Sequence, residues 1–216
     1  MRRFGFVLIC LLSWTVAGYA LIAYGFHPLS SDLHPQMRQT FELHKPGIYS
    51  HIFAAAVALL AGPWQFMPSL RASRPRLHRW LGRIYLLIGV GVGGVSALYM
   101  SWFAFGGAVS TAGFGSGALV WLYTGVQGYR SALRREWAHH RRWMVRSFAM
   151  ALAAVTLRLC LGLGIALGWP FEVFYPALAW LSWVPNAIVA EYMVRTRRGE
   201  PGAATDGGGM PAAPAP

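Results

Sequence analysis

Acidic side chains are scarce in this chain: seven Asp and Glu among 216 residues, scattered between Asp32 and Asp206. Such scatter leaves no paired carboxylates for general acid and base work. Cysteine is scarcer still. Cys10 and Cys160 both sit in apolar stretches and are not spaced as a pair, which argues against a disulfide or a thiolate metal site. There is no Gly-x-Ser-x-Gly elbow, Walker loop, dinucleotide fingerprint or His-Glu-x-x-His zinc motif, so the common soluble-enzyme chemistries have no carrier. Charge of either sign is low, at 12% of residues, while 56% are hydrophobic, too oily for an ordinary soluble domain of this length.

What the chain has in place of these is long apolar runs. Stretches of about 17 to 25 residues, enough to cross roughly 30 Å of hydrocarbon, recur along almost all of it. Six are expected: Phe4 to Tyr24, Tyr49 to Met67, Trp80 to Phe105, Gly113 to Tyr129, Trp143 to Trp169 and Phe171 to Val194. The expected fold is therefore all-α, a polytopic transmembrane bundle over residues 1–198. The first run begins like a secretory signal and passes "AGYA" (Ala17 to Ala20), a conceivable cleavage site. It continues to Tyr24, which favours an uncleaved helix. A polar stretch with His27, His34 and His44 links the first two runs. Residues 199–216, rich in Gly, Ala and Pro, have almost nothing to bury and read as a disordered cytoplasmic tail.

The basic residues set an orientation, because Lys and Arg are retained on the cytoplasmic side. All except Arg38, Lys45 and Arg158 fall on one set of alternate ends. The opposite ends carry Asp32, Glu42 and Glu172 beside Arg38 and Lys45. This predicts a multi-pass protein of the bacterial inner membrane with both termini cytoplasmic. It also accounts for the net charge of +12 without nucleic acid, since no aromatic and basic platform outside the membrane is large enough to read a strand. Anionic lipid headgroups are the natural counterions.

Shifting the chain by 62 residues aligns it with itself. Gln65 is followed after thirteen residues by His78-Arg79, and Gln127 after thirteen by His140-Arg141. The second and third runs (about 49–105) thus form one helical hairpin and the fourth and fifth (about 113–169) a second, in the same orientation. Parallel repeats of this kind place equivalent residues around an axis along the membrane normal. Gly89 with Gly93, Gly113 with Gly117, and Gly164 with Gly168 have the small-xxx-small spacing that allows backbones to approach, within one chain or between copies of a homo-oligomer. Trp64, Trp80, Trp102, Trp121, Trp137, Trp143 and Trp169 fall where interfacial anchors are expected.

The runs "HIFAAAVALLAGPWQF", "RPRLHRWLGRIYL" and "HRRWMVRSFAMALAAVTLRL" resemble a family of predicted bacterial membrane proteins known as a domain of unknown function, number 2306. The resemblance covers roughly His51 to Arg158 and loosely takes in the flanking helices. It implies an integral-membrane fold and brings no activity.

Polar groups at membrane depth cost a few kcal/mol unless partnered, so each asks for a reason. Arg158 is the deepest. Ser182 and Asn186 are expected at its level on the last helix, and neither can neutralise it. Glu191 matches Arg146 or Arg142 better. His51, His78 and His140 open helices, where the positive dipole end and nearby arginines favour a neutral imidazole able to bind a metal.

Three readings follow. In one, His78 and His140 hold haem b, with Arg79, Arg83, Arg141, Arg142 or Arg146 beside the propionates, in the manner of an electron carrier. This is similar to cytochrome b561-type bundles, though the fourth run has no histidine to partner His51 and His139 competes with His140. In the second, the His-Arg turns with Gln65 and Gln127 bind a lipid phosphate, quinone head or small carboxylate, and Arg158 marks a passage or a second contact. In the third these residues are positive-inside determinants and anchors alone.

Overall fold

The computed structural model describes residues 3–27 and 35–196. Arg2, Asp32, His34, Arg197, Arg198 and the expected tail lie outside the described residues. Helices α1 (Arg3–Phe26), α2 (Pro35–Leu43) and α3 (Lys45–Ala61) are followed by a 3-10 turn, Pro63–Phe66, and by the short α4 (Pro68–Ser73). A continuous helical rod then comprises α5 (Pro75–Ile84), a π-helical segment (Tyr85–Val92) and α6 (Gly93–Ser101). The chain continues through α7 (Gly107–Leu133), α8 (Trp137–Ala151), α9 (Ala153–Ala166), α10 (Phe171–Leu181) and α11 (Val184–Thr196). The protein is a polytopic transmembrane helical bundle.

Among the described residues, five helical stretches are long and apolar enough to span a bilayer: Phe4–Phe26, Lys45–Phe66, Pro75–Ser101, Trp137–Ala166 and Phe171–Thr196. The expected fourth run falls on α7, whose 27 residues reach roughly 40 Å, so length is not wanting. Its many glycines, serines and threonines keep its hydropathy low. These small residues suit a helix surrounded by other helices, and α7 packs against α6, α8, α10 and the π segment.

Glycine sets these contacts. A Cβ on Gly89 would come within 2.8 Å of the Ala58 Cβ, and one on Gly93 would meet Ala54 and Trp121. Gly113 and Gly117 lie against Ala179 and Trp183, and the Trp183 indole donates to the Gly113 carbonyl at 3.0 Å. Gly164 admits the Phe174 ring. Gly168 plays a different part from the one its spacing suggests. Its φ of +68° closes α9, with the Trp169 amide bonded to the Gly164 carbonyl, an end that favours glycine.

Trp64, Trp80, Trp102, Trp137 and Trp169 lie exposed, as anchors should. Trp121 does not. It is 6% exposed inside the main core, where Gly93 leaves room for its ring. The periphery is apolar elsewhere too: Leu87, Val95, Leu119, Leu159 and Ile188 face outward, a surface suited to lipid.

The two hairpins begin in register. Adding 62 to the first residue of α3, Lys45, reaches Gly107, where α7 starts, and adding it to Pro75 reaches Trp137, where α8 starts. The turns at Arg71–Arg83 and Arg130–Arg142 fall at one end of the bundle, called the basic end below. The α3 start meets the α6 end at the other, where His44 stacks on Phe103 and bonds the Tyr99 hydroxyl at 2.8 Å.

Candidate functional site

The hairpins meet through two equivalent residues. The Tyr85 hydroxyl and Ser147 Oγ, both fully buried, are hydrogen-bonded at 3.0 Å and stand 62 positions apart. His78 lies seven residues before Tyr85 and His140 seven before Ser147. Seven residues make two helical turns, so each histidine shares a helix face with its contact residue. Both histidines therefore stand on the helix faces that carry the contact. His140 lies near enough for its charge to act on His78, as do Arg71 and Arg79.

His140 is half-buried and His139 exposed. His140 Nδ1 lies 2.8 Å from the Gly128 carbonyl. A carbonyl can only accept, so Nδ1 carries the proton, and in the neutral ring Nε2 keeps its lone pair. Metal-ligating histidines are commonly oriented by such a bond. Gln127 is half-buried beside Gly128, whose carbonyl makes that bond.

At His78 the arrangement differs. The position equivalent to Gly128 is Phe66, which closes the 3-10 turn opened by Pro63, where α7 runs on as an unbroken helix. His78 Nδ1 is buried with no hydrogen-bond partner, and so is Gln65 Nε2. Gln65 Oε1 lies 3.2 Å from where a Gly82 Cβ would stand, and Gly82 is one turn from His78 on the same face. An unmet buried donor or acceptor costs on the order of 1–3 kcal/mol, so these two atoms call for a partner.

The arginines divide. Arg83 turns outward over the Trp80 ring at 5.6 Å. Arg146 is engaged by Glu191, with Nη2 to Oε2 at 2.7 Å and Nε to Oε2 at 2.8 Å, and lies over the Trp143 ring. Glu191 also takes Arg195 at 2.8 Å. Arg146 is thus the mate of Glu191, as depth suggests, and its charge is already answered. The pair lines a cleft of about 330 Å³ with Val120, Thr124, Met150 and Ile188. Arg79 and Arg141 are exposed at the basic end, and Arg142 is half-buried.

Toward the opposite end, His51 Nδ1 lies 3.0 Å from the Gly93 carbonyl, the same tautomer-setting bond as at His140. Arg158 donates from Nη1 to the Ala154 carbonyl at 3.1 Å and lies 5.7 Å from the Tyr19 ring. It faces α1, not the last helix. Asn186 is taken by Thr156, whose hydroxyl bonds its Oδ1 at 3.1 Å, and Ser182 accepts the Asn186 amide through its carbonyl.

Several of these residues escape reading by residue type. Tyr85 and Ser147 look like ordinary core positions, although the same shift of 62 superposes them. The Trp121 indole N–H lies close to the Tyr85 hydroxyl without completing a hydrogen bond. Among the described residues no group of three or more His, Cys, Asp or Glu could hold a metal ion.

The chain belongs to the family described as Predicted membrane protein (DUF2306), whose model matches residues 48–194. That span begins in α3 and ends in α11, so it takes in both hairpins and leaves out α1. No curated protein and no solved structure matches the chain.

Proposed function

We propose that this family member is a multi-pass protein of the bacterial inner membrane, both termini cytoplasmic, whose duplicated hairpin holds haem b between His78 and His140 and carries electrons. The observation that supports the reading is the Tyr85–Ser147 contact between equivalent residues, which puts His78 and His140 on the contacting faces of their helices, with His140 Nδ1 held by the Gly128 carbonyl. Gly128 fixes the His140 ring through its carbonyl. The unpartnered nitrogen of His78 marks a ring whose bonding is incomplete. Arg71 and Arg79, both near His78, supply positive charge suited to propionates, and Arg142 adds to it. Bound haem would supply one-electron chemistry, and the two histidines would set its potential as axial ligands.

The test is an absorbance spectrum of the detergent-purified protein, expressed with adequate haem and read before and after dithionite. A Soret band lost in both His78→Ala and His140→Ala, with membrane insertion retained, is the expected result. No Soret band in the parent protein would overturn the reading.

A second reading draws on Gln65. Its buried amide N–H lacks an acceptor, and with Arg71 and Arg79 nearby it suits a small carboxylate, quinone head or lipid phosphate at the basic end. Here the purified protein shows no haem and carries a lipid or acid that is lost when Arg79 or Arg141 becomes Gln. On either reading the basic end faces anionic lipid.

A further inference from the structure

The cleft of about 330 Å³ between α7, α8 and α11 is lined by Val120, Thr124, Arg146, Met150, Ala187 and Glu191. Each helix thus contributes two residues four apart, which stand one turn, roughly 6 Å, from each other on a single face. α7 and α11 run toward the basic end and α8 runs away from it. Thr124, Arg146 and Glu191 are therefore the members nearer that end, and Val120, Met150 and Ala187 lie deeper, toward the middle of the bundle. The Thr124 hydroxyl is spent on its own helix, at 2.9 Å from the Val120 and Trp121 carbonyls. The cleft is accordingly charged at its mouth and apolar beneath. Ile188, on its rim and 63% exposed, opens it sideways to the bilayer.

The mouth carries an excess of positive charge. Glu191 Oε2 accepts from Arg146 Nε and Nη2 at 2.8 and 2.7 Å, and its Oε1 accepts from Arg195 Nε at 2.8 Å. One carboxylate shared by two guanidinium groups leaves the trio one positive charge over. Among the described residues Arg146 Nη1 has no hydrogen-bond acceptor, so its two N–H groups remain to be met. Its guanidinium carbon lies 4.8 Å from the Trp143 ring, one turn nearer the basic end, so the side chain reaches back toward the headgroup level at which an interfacial indole sits. Free N–H groups facing hydrocarbon are costly, and phosphate oxygens are acceptors that a guanidinium takes especially well.

We propose that this cleft binds one anionic phospholipid, with its phosphate on Arg146 beside Arg195 and one acyl chain in the apolar part beneath. Charge and depth both fit that occupant. A phosphodiester brings the single negative charge that the trio lacks, whereas a choline lipid carries its own cation and brings none. The order of the cleft, charged toward the basic end and apolar toward the middle, is that of a lipid in the adjoining leaflet. Its volume is at the lower end of small-molecule sites, about 300–1,000 Å³, room for a segment of one chain. General attraction of anionic lipid to basic residues is diffuse, but this site is saturable. It is independent of the haem reading and of Gln65.

The test is native mass spectrometry of the full-length protein in maltoside detergent, with dioleoyl phosphatidylglycerol and dioleoyl phosphatidylcholine added separately. Saturable binding of one phosphatidylglycerol per chain, roughly tenfold tighter than phosphatidylcholine, is expected, the scale of one hydrogen bond to a charged group. Arg146→Gln and Ile188→Trp should each weaken it by about as much. Because Ile188 is exposed, the larger ring narrows the cleft without displacing packed neighbours, so this variant decides the matter even if Arg146→Gln fails to fold. Leu159→Trp, equally outward but on α9, which does not line the cleft, should bind as the parent does. A parent protein that holds both lipids alike, an Ile188→Trp variant that binds as the parent, or a Leu159→Trp variant weakened to the same degree would overturn the proposal.

Discussion

The Tyr85 hydroxyl meets Ser147 Oγ at 3.0 Å across an interval of 62 residues, the same interval that separates His78 from His140. Where residues at equivalent positions of two parallel hairpins touch, the axis relating them passes between them. Each histidine stands two helical turns from that contact, toward the basic end. This relationship gives the site its symmetry, and the 3-10 turn at Pro63–Phe66 breaks that symmetry at His78 alone.

Tyr85→Phe and Ser147→Ala should each lower the thermal midpoint in detergent, with a coupling of about 0.6 to 1.7 kcal/mol in a double-mutant cycle, the range for hydrogen bonds between membrane helices. Strict additivity of the two would show that the bond contributes nothing.

Gly89→Val should destabilise by about 1–3 kcal/mol, because even a Cβ there would come within 2.8 Å of Ala58. Gly162→Ala should stabilise by roughly 0.5–1 kcal/mol, since nothing stands within 4 Å of its Cβ position and the residue is interior to α9. Reversal of that order in thermal unfolding would refute the packing at the α3 contact.

Arg135, at φ +59°, closes α7 in the left-handed region, with the Glu136 amide bonded to the Ser131 carbonyl. Arg135→Gly should raise stability by about 1 kcal/mol and Gly168→Ala lower it by about as much. A matched pair of melting curves checks both.

Glu191→Gln removes the partner of Arg146, whose side chain is 20% exposed, and should cost about 1–3 kcal/mol, less than a fully buried pair would. Exchanging the charges, Arg146→Glu with Glu191→Arg, should recover part of the loss. The Arg195 contact with Glu191 is outside the core and should fade in high salt. Melting curves of the parent and the two variants at two salt concentrations decide the matter.

Orientation has its own readout. A cysteine placed at the exposed Ser73 should resist a membrane-impermeant maleimide in intact spheroplasts, and one at the exposed Gln39 should react. Labelling in the opposite sense would invert the assignment of both termini.

Much of the bundle can be read from local pattern. The expected runs coincide with the helices to within several residues, and the basic turns fall between them. Two of the three small-residue pairs pack as their spacing suggests; in the third Gly164 admits Phe174 while Gly168 closes a helix. The short helices α2 and α4 are missed because they carry no long apolar run. The π segment is missed because Tyr85–Val92 is uniformly apolar and has no period to read. Trp121 is misplaced at the membrane surface because α7 looks like a peripheral span by position and is interior by packing.

The amino-acid sequence by itself determined that the chain forms a bundle of long apolar helices, where its basic residues fall and which residues recur at an interval of 62. These are properties of segments and need no neighbours. Only the tertiary structure decided that His140 and not His139 turns inward, that Arg146 belongs to Glu191, and that Arg158 faces Tyr19 of α1. Hydropathy cannot make those choices, because an apolar neighbour and a lipid chain solvate a helix face equally well. Which of them a given face meets is settled only when the helices pack.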